Sequence, residues 1–419
     1  MRLNRVVITG LGAVTPLGND VATTWQSLIE GKSGAGMITH FDASKFKTQF
    51  ACEVKNFDAS SLLDRKELRK LDLFSQYALY AAHEAVEDSE LDFGEEDPTM
   101  MGVVWGSGMG GVRAFEEDMS EFALSDGTPR FNPFLIPKVI TNIAAGHISI
   151  MYGLRGVNIT TTSACASSAH AIAVAFDSIR MGRAQVVIAG GSEAPIVPVG
   201  VGGFNSMHAL STRNDSPATA SRPFSLSRDG FVLGEGSACL VLEDLRHAKA
   251  RGAKIYAELV GAGFSADAYH ITAPDPAGHG AETVMRFALD DARLKPEKID
   301  YINTHGTSTP IGDVAEARAI CSLFSEKVEQ VSISSTKSMT GHMLGAAGAM
   351  EALVCVLSTM NDIVPPTINH EEGDIDEQFP EQLDFTFNQA RHRVVNYALS
   401  NSFGFGGHNA TLIFKKWKH

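Results

Sequence analysis

Cys165 is the residue whose setting could support nucleophilic chemistry. It lies in the segment ITTTSACASSAH at residues 159–170, a pattern that predicts a strand, a turn of small residues and then a helix. A cysteine in the first turn of a helix faces unpaired backbone N–H groups, which lower the pKa of the thiol and favour the thiolate. The alternative is an inert buried cysteine, which is our interpretation for the other four, Cys52, Cys239, Cys321 and Cys355. The local pattern leaves both interpretations of Cys165 open.

Two histidines, His305 and His342, follow predicted strands in similar surroundings. His305 lies in NTHGTSTPIGD at residues 303–313, and His342 lies in KSMTGHMLGA at residues 337–346. Open α/β sheets bind ligands beyond the carboxyl ends of their strands, which is where both imidazoles are expected. Together with Cys165 they provide one nucleophile and two groups that can polarise a thioester oxygen without a metal ion.

Lys337 and Glu351 form a second candidate group. Glu351 lies within residues 345–360, an otherwise apolar predicted helix, where an unpaired carboxylate would be costly to bury. Lys337, on the loop before that helix, is a candidate partner. We include Lys337 in the candidate catalytic set, although such pairs more often order a site than transfer a proton.

Two glycine clusters bring a dinucleotide site into consideration. Gly106, Gly108 and Gly111 satisfy G-x-G-x-x-G after a predicted strand, and Gly10 and Gly12 follow the first strand. A dinucleotide site also needs a helix that starts at once and an acidic residue that ends the next strand. Neither cluster supplies both, so we expect tight strand-to-helix turns here and no cofactor.

A third glycine-rich segment, NSFGFGGHN at residues 401–409, lies between two predicted strands. Taken alone, this segment favours a β-hairpin with a bulge. The alternative is a mobile loop that carries a phenylalanine and turns its amides toward a ligand, because glycine allows close approach of the backbone.

Short apolar runs alternate with amphipathic segments along the chain, which predicts an α/β fold with helices on the faces of its sheets. The predicted strands are residues 6–10, 102–106, 157–162, 186–190, 238–243, 257–261, 299–303, 331–334, 394–400 and 410–414. The predicted helices are residues 65–88, 136–152, 166–183, 281–293, 314–323 and 346–360. The first strand and the segment from residue 255 share a β-rich pattern broken by G-x-G, which suggests duplicated halves.

The composition indicates a folded, soluble enzyme. Of the 419 residues, 44% are hydrophobic, which excludes disorder, and the net charge of −14 disfavours nucleic-acid binding. The five cysteines are scattered and never form a C-x-x-C pair, which indicates a reducing cytoplasm without disulfides or a zinc site. The apolar run at residues 6–8 is too short for a signal peptide, and no uninterrupted apolar stretch reaches the roughly 18 residues of a membrane span.

Four segments together resemble the motifs of the β-ketoacyl-[acyl-carrier-protein] synthases, and they occur in that family's order. They are SACASS at residues 163–168, HGTSTPIGD at 305–313, KSMTGH at 337–342 and GFGG at 404–407. The resemblance is strongest to the elongating synthase II type. It implies a thiolase-like α/β fold of five α-β-α-β-α layers, built from two halves that we place at residues 1–254 and 255–419. It also implies a homodimer.

The resemblance further implies a reaction. Cys165 would attack the thioester of an acyl carrier protein to form an acyl-enzyme, with the amides of Cys165 and Phe403 holding the oxyanion. His305 and His342 would stabilise the enolate formed when malonyl-carrier protein loses carbon dioxide, and Lys337 completes the catalytic set. The enolate carbon would then attack the acyl group, and the product would be a 3-oxoacyl chain longer by one two-carbon unit.

Other residues match family positions around the reacting groups. Thr307 and Thr309 match contacts of the phosphopantetheine arm. Phe403, with its neighbour Gly404, matches the gate between the acyl pocket and the malonyl site.

Two further positions concern the acyl chain, and two concern support. Met109 and Phe134 match residues that line the acyl pocket, and because family members often have a branched aliphatic residue at the Met109 position, the preferred chain length stays open. Glu351 and Asp313 are expected to support the site, and we predict no metal ion.

An acidic carrier protein needs a basic surface on this acidic chain. Four cations recur at i, i+1, i+4 and i+5 and would share one side of the predicted helix 65–88; they are Arg65, Lys66, Arg69 and Lys70. Arg130 and Arg213 could extend the patch. A solvated helix face without a partner is the alternative.

Three rival functions are considered. A degradative thiolase normally has a second catalytic cysteine late in the chain, where this sequence has none at residues 403–408. A ketosynthase of a polyketide or specialised-lipid pathway would share every catalytic residue named. An inactive partner subunit would lack the nucleophile, so the presence of Cys165 with both histidines argues against it.

Overall fold

The computed structural model describes residues 3–94, 96–374, 376–379 and 382–418. Its helices are α1 Val21–Ile29, α2 Arg65–Leu68, α3 Leu73–Ser89, α4 Val112–Leu124, α5 Leu135–Val139, α6 Ile143–Tyr152, α7 Ser167–Arg180, α8 Pro198–Ser206, α9 Leu245–Ala250, α10 His279–Ala292, α11 Pro310–Phe324, α12 Lys337–Thr340 and α13 Ala347–Asn361. Its strands are β1 Val6–Val14, β2 Gly36–Met37, β3 Phe50–Ala51, β4 Met101–Gly106, β5 Asn158–Thr161, β6 Val186–Glu193, β7 Gly236–Asp244, β8 Ala257–Ala266, β9 Tyr301–Asn303, β10 Ser332–Ser334, β11 Ile363–Val364, β12 Asp384–Phe385, β13 Arg391–His392, β14 Tyr397–Gly404 and β15 His408–Lys416.

One topology occurs twice in the large sheet, whose strand order is β12-β10-β9-β14-β15-β8-β1-β7-β6-β4-β5. The order β5-β4-β6-β7-β1 on one side matches the order β10-β9-β14-β15-β8 on the other, strand for strand along the chain. The parallel and antiparallel pairings match as well. The two first strands meet at the centre, where Val6 pairs with Leu259. This repeat accounts for the similar G-x-G patterns of β1 and β8.

Helices form three layers around these strands. Helices α7 and α13 pack against each other and contact strands of both repeats, so they form the middle layer. Helices α3 and α6 cover the outer face of β1, β4, β6 and β7, and α10 covers the outer face of β8 and β15. The predicted α/β class with five alternating layers is therefore confirmed.

Glycines in β1 and β8, the first strand of each repeat, allow a helix to pack directly against the strand backbone. A Cβ on Gly12 would lie 1.9 Å from the Ala81 carbonyl oxygen in α3, and one on Gly263 would lie 2.3 Å from the Val284 oxygen in α10. Both glycines lie inside their strands. The expected strand-to-helix turn at Gly10 and Gly12 is therefore wrong, because β1 continues through these glycines so that α3 can pack on it.

The predicted helices 65–88 and 136–152 are each broken. Asp72 ends the first, because its carboxylate accepts from the Phe74 amide at 3.2 Å as the N-cap of α3 and from the Ala114 amide at 2.9 Å. In the second, the carbonyl of Val139 accepts from the Gly111 amide at 3.1 Å, so α5 stops there. Both breaks rest on contacts with the segment that follows β4.

One helical segment passes a length and composition test for crossing a membrane. It is Leu344–Asn361, and 89% of it is buried inside the protein. It contains α13, the middle-layer helix, so its apolar character serves the core.

Candidate active site

Cys165 lies in a strained turn between β5 and α7. Ala164, directly before it, has a left-handed backbone with φ of 50°. The Ser167 hydroxyl spans this strained residue: it accepts from the Ser163 amide at 2.9 Å and donates to the Ala164 carbonyl at 2.7 Å. The small residues of this segment thus fix the direction in which the buried thiol points.

The segment at residues 401–409 is a hairpin, as predicted, and its turn also reaches the nucleophile. Strands β14 and β15 pair antiparallel up to Gly404 and His408. A Cβ on Gly404 would lie 2.5 Å from the Ser163 carbonyl oxygen, so only glycine lets the two segments approach this closely. The next amide, that of Phe405, lies near enough to the Cys165 thiol to lower its pKa.

This contact corrects one expected role. The expected amide was that of Phe403, but Phe403 lies in β14 opposite Asn409, and its ring is 5.5 Å from the His305 ring. The backbone of Gly404 packs closely against the Ser163 carbonyl. This contact places the following amide, that of Phe405, next to the Cys165 sulfur.

His305 and His342 face one another beside the thiol. Their ring centroids are 5.3 Å apart and their planes are almost perpendicular. Burial, with a smaller contribution from the Lys337 charge, holds the pKa of each imidazole well below its usual value, so both rings are neutral. Within the described residues, the Nδ1 atoms of both are buried without a hydrogen-bond partner.

Lys337 and Glu351 form the predicted ion pair, and each is only 2% exposed. Burial raises the pKa of Glu351 to about 7, while Lys337 acts in the opposite direction. The Lys337 charge also lowers the pKa of Cys165 and of both histidines. The positive charge of Lys337 therefore favours the thiolate of Cys165 and the neutral form of both imidazoles.

The thiol itself is not activated in the way the sequence suggested. Burial raises the pKa of Cys165 to about 12, and the Lys337 charge and the Phe405 amide only partly oppose this. Cys165 also precedes α7 rather than lying in its first turn. The expectation of a depressed pKa is wrong because the loss of solvent outweighs the nearby positive groups.

Glu316 is a site residue that the sequence analysis missed. Its buried carboxylate accepts from the His305 and Gly306 amides at 2.9 and 2.8 Å and from the Asn401 side chain at 3.0 Å. It thus joins the histidine loop to β14. The available signal was a glutamate on the buried face of α11, shortly after the HGTSTP segment.

Glu193 was missed in the same way. This fully buried carboxylate accepts from the Ser107 hydroxyl at 2.9 Å and from the Gly108, Met109 and Gly345 amides at 2.9, 3.1 and 3.1 Å. It fixes the Met109 loop beside the nucleophile. A glutamate at the end of the buried strand β6 was its only trace in the sequence.

One cavity of about 350 Å³ connects these groups. Cys165, His305 and His342 line it, together with Phe403, Gly404 and Phe405. Thr307 and Thr309 line its wall, and their hydroxyls are 3.0 Å apart. The cavity therefore presents paired hydroxyls, the thiol and two neutral imidazoles to a single bound molecule.

Asp313 supports this wall from behind. It is fully buried, accepts from the Phe224 amide at 3.0 Å and lies 3.6 Å from Arg228. The Asp313 amide donates to the Thr309 carbonyl at 3.3 Å. Burial raises its pKa to about 6.

The two expected acyl-pocket residues fall in different places. Met109 is half-buried and packs against the apolar cluster that includes Cys165 and Phe231. Phe134 is the N-cap residue before α5, is 40% exposed and does not line the cavity.

The expected docking cations do not share one helix face. Helix α2 ends at Leu68, so Arg69 and Lys70 lie in the following turn, and Lys70 is paired with Glu67 at 2.6 Å. The exposed members are Arg65, Lys66, Arg69 and Arg130. Arg213 donates to the Ser227 carbonyl and lies 3.6 Å from Asp229, which lines the cavity.

Comparison with known proteins identifies the family. Residues 3–248 match the family described as beta-ketoacyl synthase, N-terminal domain, and residues 256–371 match the corresponding C-terminal domain. The chain belongs to the β-ketoacyl synthase family. Within the residues described for this synthase, no cluster of three or more histidine, cysteine or acidic side chains could hold a metal ion.

Relatives of this synthase match over its whole length. A 3-oxoacyl-[acyl-carrier-protein] synthase 2 of Coxiella burnetii is 50% identical over 99% of both chains. The protein of the same name in Synechocystis is 50% identical over 99% of this chain and 98% of its own. The one in Staphylococcus aureus is 47% identical over 99% of both.

Solved structures of ketosynthases match the fold. A beta-ketoacyl synthase from Burkholderia phymatum has a TM-score of 0.91 at 36% identity, covering 99% of this synthase and 100% of that chain. A type II polyketide ketosynthase in complex with its acyl-carrier protein, with a hexaketide bound, has a TM-score of 0.89 at 33% identity and the same coverage. The predicted thiolase-like class is consistent with both.

Proposed function

We propose that this synthase is a 3-oxoacyl-[acyl-carrier-protein] synthase of the elongating II type. It condenses an acyl group with malonyl-carrier protein in fatty acid synthesis, releasing carbon dioxide and extending the chain by one two-carbon unit. The observation that carries the proposal is that the Cys165 thiol, the Phe405 backbone and two neutral imidazoles line a single cavity.

In the first half-reaction, the Cys165 sulfur attacks the carbonyl carbon of the acyl thioester. The carbonyl electrons move onto oxygen, and the amides of Cys165 and Phe405 bind this oxyanion. When the intermediate collapses, the phosphopantetheine sulfur leaves and takes up the proton of the thiol. Because burial keeps Cys165 protonated at rest, that proton moves only after substrate has entered.

In the second half-reaction, malonyl-carrier protein enters and loses carbon dioxide. The electrons of the broken carbon–carbon bond move onto the thioester oxygen, where His305 and His342 donate hydrogen bonds as neutral groups. The enolate carbon attacks the acyl-enzyme, and Cys165 leaves as the thiolate, stabilised by the Lys337 charge. The thiolate then takes up one proton from solvent, which restores the thiol for the next cycle. We include Lys337 in the catalytic set for this electrostatic role.

Thr307 and Thr309 hold the phosphopantetheine arm on its way to the thiol. Both hydroxyls lie on the cavity wall, and Asp313 fixes their backbone. Phe403 and Phe405 gate the cavity, and Met109 contacts the acyl chain beyond the thiol. The substrates arrive on the carrier protein, so no resident cofactor or metal takes part.

The acyl carrier protein docks on a basic surface of the synthase. Arg65, Lys66 and Arg69 supply positive charge on and after α2, and Arg130 and Arg213 extend it. Reversing the charges of Arg65 and Arg69 should raise the KM for the carrier protein at low salt and leave Cys165 alkylation unchanged. An unchanged KM would show that the carrier protein does not dock on these cations.

The active form is a cytoplasmic homodimer of chains built from halves at residues 1–254 and 255–419. Five free cysteines are compatible with a reducing compartment. Strand β5 ends the described sheet with an open, partly apolar edge, and a second copy would cover it. The repeated strand order supports the division into halves.

The proposal is tested by intact-protein mass after mixing the synthase with acyl carrier proteins that bear different chains. A mass gain that maps to Cys165, and that is absent from C165S, is expected and would rank chain lengths. Adding malonyl-carrier protein should then release a 3-oxoacyl product. Failure with every chain length, from folded protein, would favour an inactive partner subunit, whereas preference for polyketide intermediates would favour the specialised pathway.

A further inference from the structure

His170 lies in the first turn of α7, and the mechanism above gives it no part. Its Nδ1 atom is 2.6 Å from the Ser163 hydroxyl. Ser163 precedes the left-handed Ala164 and is the residue whose carbonyl contacts Gly404. The imidazole thus hydrogen-bonds to Ser163, the residue of the nucleophile turn that packs against the hairpin.

The other surfaces of the His170 ring contact the second half of the molecule. The ring stacks on Phe264 of β8, with centroids 5.1 Å apart. The backbone of Asn409 in β15 lies near enough to the ring to raise the pKa of the imidazole, against the larger effect of burial. Asn409 is the residue opposite Phe403 in the hairpin, and its side chain donates to Asp267 at 2.7 Å. One side chain therefore touches both segments that supply the oxyanion amides.

The protonation state of His170 suits this double contact. Burial lowers its pKa to about 4, so the ring is neutral at physiological pH. A neutral imidazole has one acceptor nitrogen and one donor nitrogen. With Nδ1 accepting from Ser163, the remaining N–H is available for the Asn409 carbonyl.

We propose that His170 is a positioning residue that keeps the Cys165 turn and the hairpin at residues 403–409 aligned for oxyanion binding. This inference rests on the proposed function, because the oxyanion is bound by one amide from each segment. The Ala164 backbone is strained and relaxes unless its neighbours hold it. A small displacement of one segment relative to the other lengthens one of the two oxyanion hydrogen bonds and slows acylation.

Three substitutions at His170 separate positioning from packing. H170F keeps the aromatic stacking on Phe264 but loses both polar contacts. H170N places an amide oxygen where Nδ1 accepts from Ser163, and H170Q places its amide near Asn409 instead. S163A removes the Ser163 contact from the other partner and leaves the imidazole in place.

The readouts are the thermal midpoint and the rate of Cys165 acylation against carrier-protein concentration. We expect S163A to lower the maximal rate about tenfold, the loss of one oriented hydrogen bond, and H170F to lower it at least as much. The KM should be unchanged in both, because His170 does not line the cavity. H170N should recover most of the rate at an unchanged thermal midpoint, and H170Q should recover less than H170N.

The inference is overturned if H170F and S163A acylate at the unaltered rate, if H170N recovers no more than H170F, or if the loss is in KM. Failure of the proposed function gives a different result, since the unaltered protein would then show no acylation at Cys165. A variant that loses its thermal transition is replaced by S163A, which tests the same hydrogen bond.

Discussion

Gly404 passes so close to Ser163 that a Cβ at position 404 would lie 2.5 Å from the Ser163 carbonyl oxygen and 3.2 Å from the Cys165 amide nitrogen. Both neighbouring atoms belong to the backbone, so a rotamer change cannot relieve the contact. The backbone of Gly404 is in the ordinary φ range, which means that space, not conformation, requires glycine here. The hairpin and the nucleophile turn are therefore fitted to each other at this point.

Replacement of Gly404 by alanine should separate these two segments. We expect Cys165 acylation to fall at least about tenfold, because the Phe405 amide moves away from the oxyanion. Gly203→Ala in the exposed part of α8, where a Cβ would meet nothing within 4 Å, is the control and should keep full activity. Acylation of G404A at the control rate would show that the hairpin amide is not required.

Removal of the cation from the buried ion pair should cost stability and activity separately. K337M leaves Glu351 without its partner and raises the pKa of this carboxyl further, because the Lys337 charge lowers it in the unaltered protein. At pH 8 the folded variant must bury a lone carboxylate or take up a proton, and the free energy of unfolding should fall by about 3–5 kcal/mol. K337M/E351Q removes both charges and should regain much of that loss in urea denaturation. Its acylation rate should stay low, because the Cys165 thiolate still lacks the Lys337 charge. If K337M/E351Q recovers both the free energy of unfolding and the acylation rate, the Lys337 charge has no role in acylation and the pair serves only the packing of the core.

The reactivity of the free Cys165 thiol should rise with pH well past the neutral range. With a pKa of about 12 in the folded protein, alkylation by iodoacetamide should increase about tenfold per pH unit from about pH 6 to about pH 9. K337M should react more slowly at every pH, since loss of the cation raises the thiol pKa further. C165S measures the background from the other cysteines. A plateau near neutral pH would mean that the positive groups outweigh burial.

Glu84 should make the stability of the fold depend on pH. Its carboxylate accepts from the Ala13 and Val21 amides at 2.8 Å, and burial raises its pKa from 4.5 to about 7. The folded protein then holds a proton that the unfolded chain has lost between these values, so this group costs stability as pH rises through that range. E84Q should gain stability relative to the unaltered protein over the same range, as measured by urea unfolding at several pH values. A difference independent of pH would contradict the assignment.

Local patterns were sufficient to pick out residues that the fold brings together in the candidate site. Cys165, His305 and His342 each stand in short segments of small residues after a strand, and Lys337 was paired with Glu351 because an apolar helix cannot hold a lone carboxylate. The α/β class followed from the alternation of elements. These features depend on neighbours in sequence, which is why sequence reasoning reached them.

The missed features all depend on distant contacts. Glu316 and Glu193 each bind amides from loops that the chain order does not place together. The break at Asp72 depends on Ala114, and the position of the Phe405 amide depends on Ser163. The raised thiol pKa reflects how deeply the completed fold buries Cys165, and a helix N-terminus read from sequence carries no such information.

The open edge of β5 should be the contact between two copies of the synthase. Ile159 on this strand is 43% exposed, and Ile150 on the neighbouring α6 is 79% exposed, although an apolar edge strand left uncovered invites aggregation. Two copies related by a two-fold axis would pair their β5 strands antiparallel and bury both isoleucines. I159K should therefore shift the protein from dimer to monomer in sedimentation equilibrium. V394K, at an exposed valine in the other repeat, is the control and should remain a dimer. An unaltered protein that sediments as a monomer would refute this arrangement.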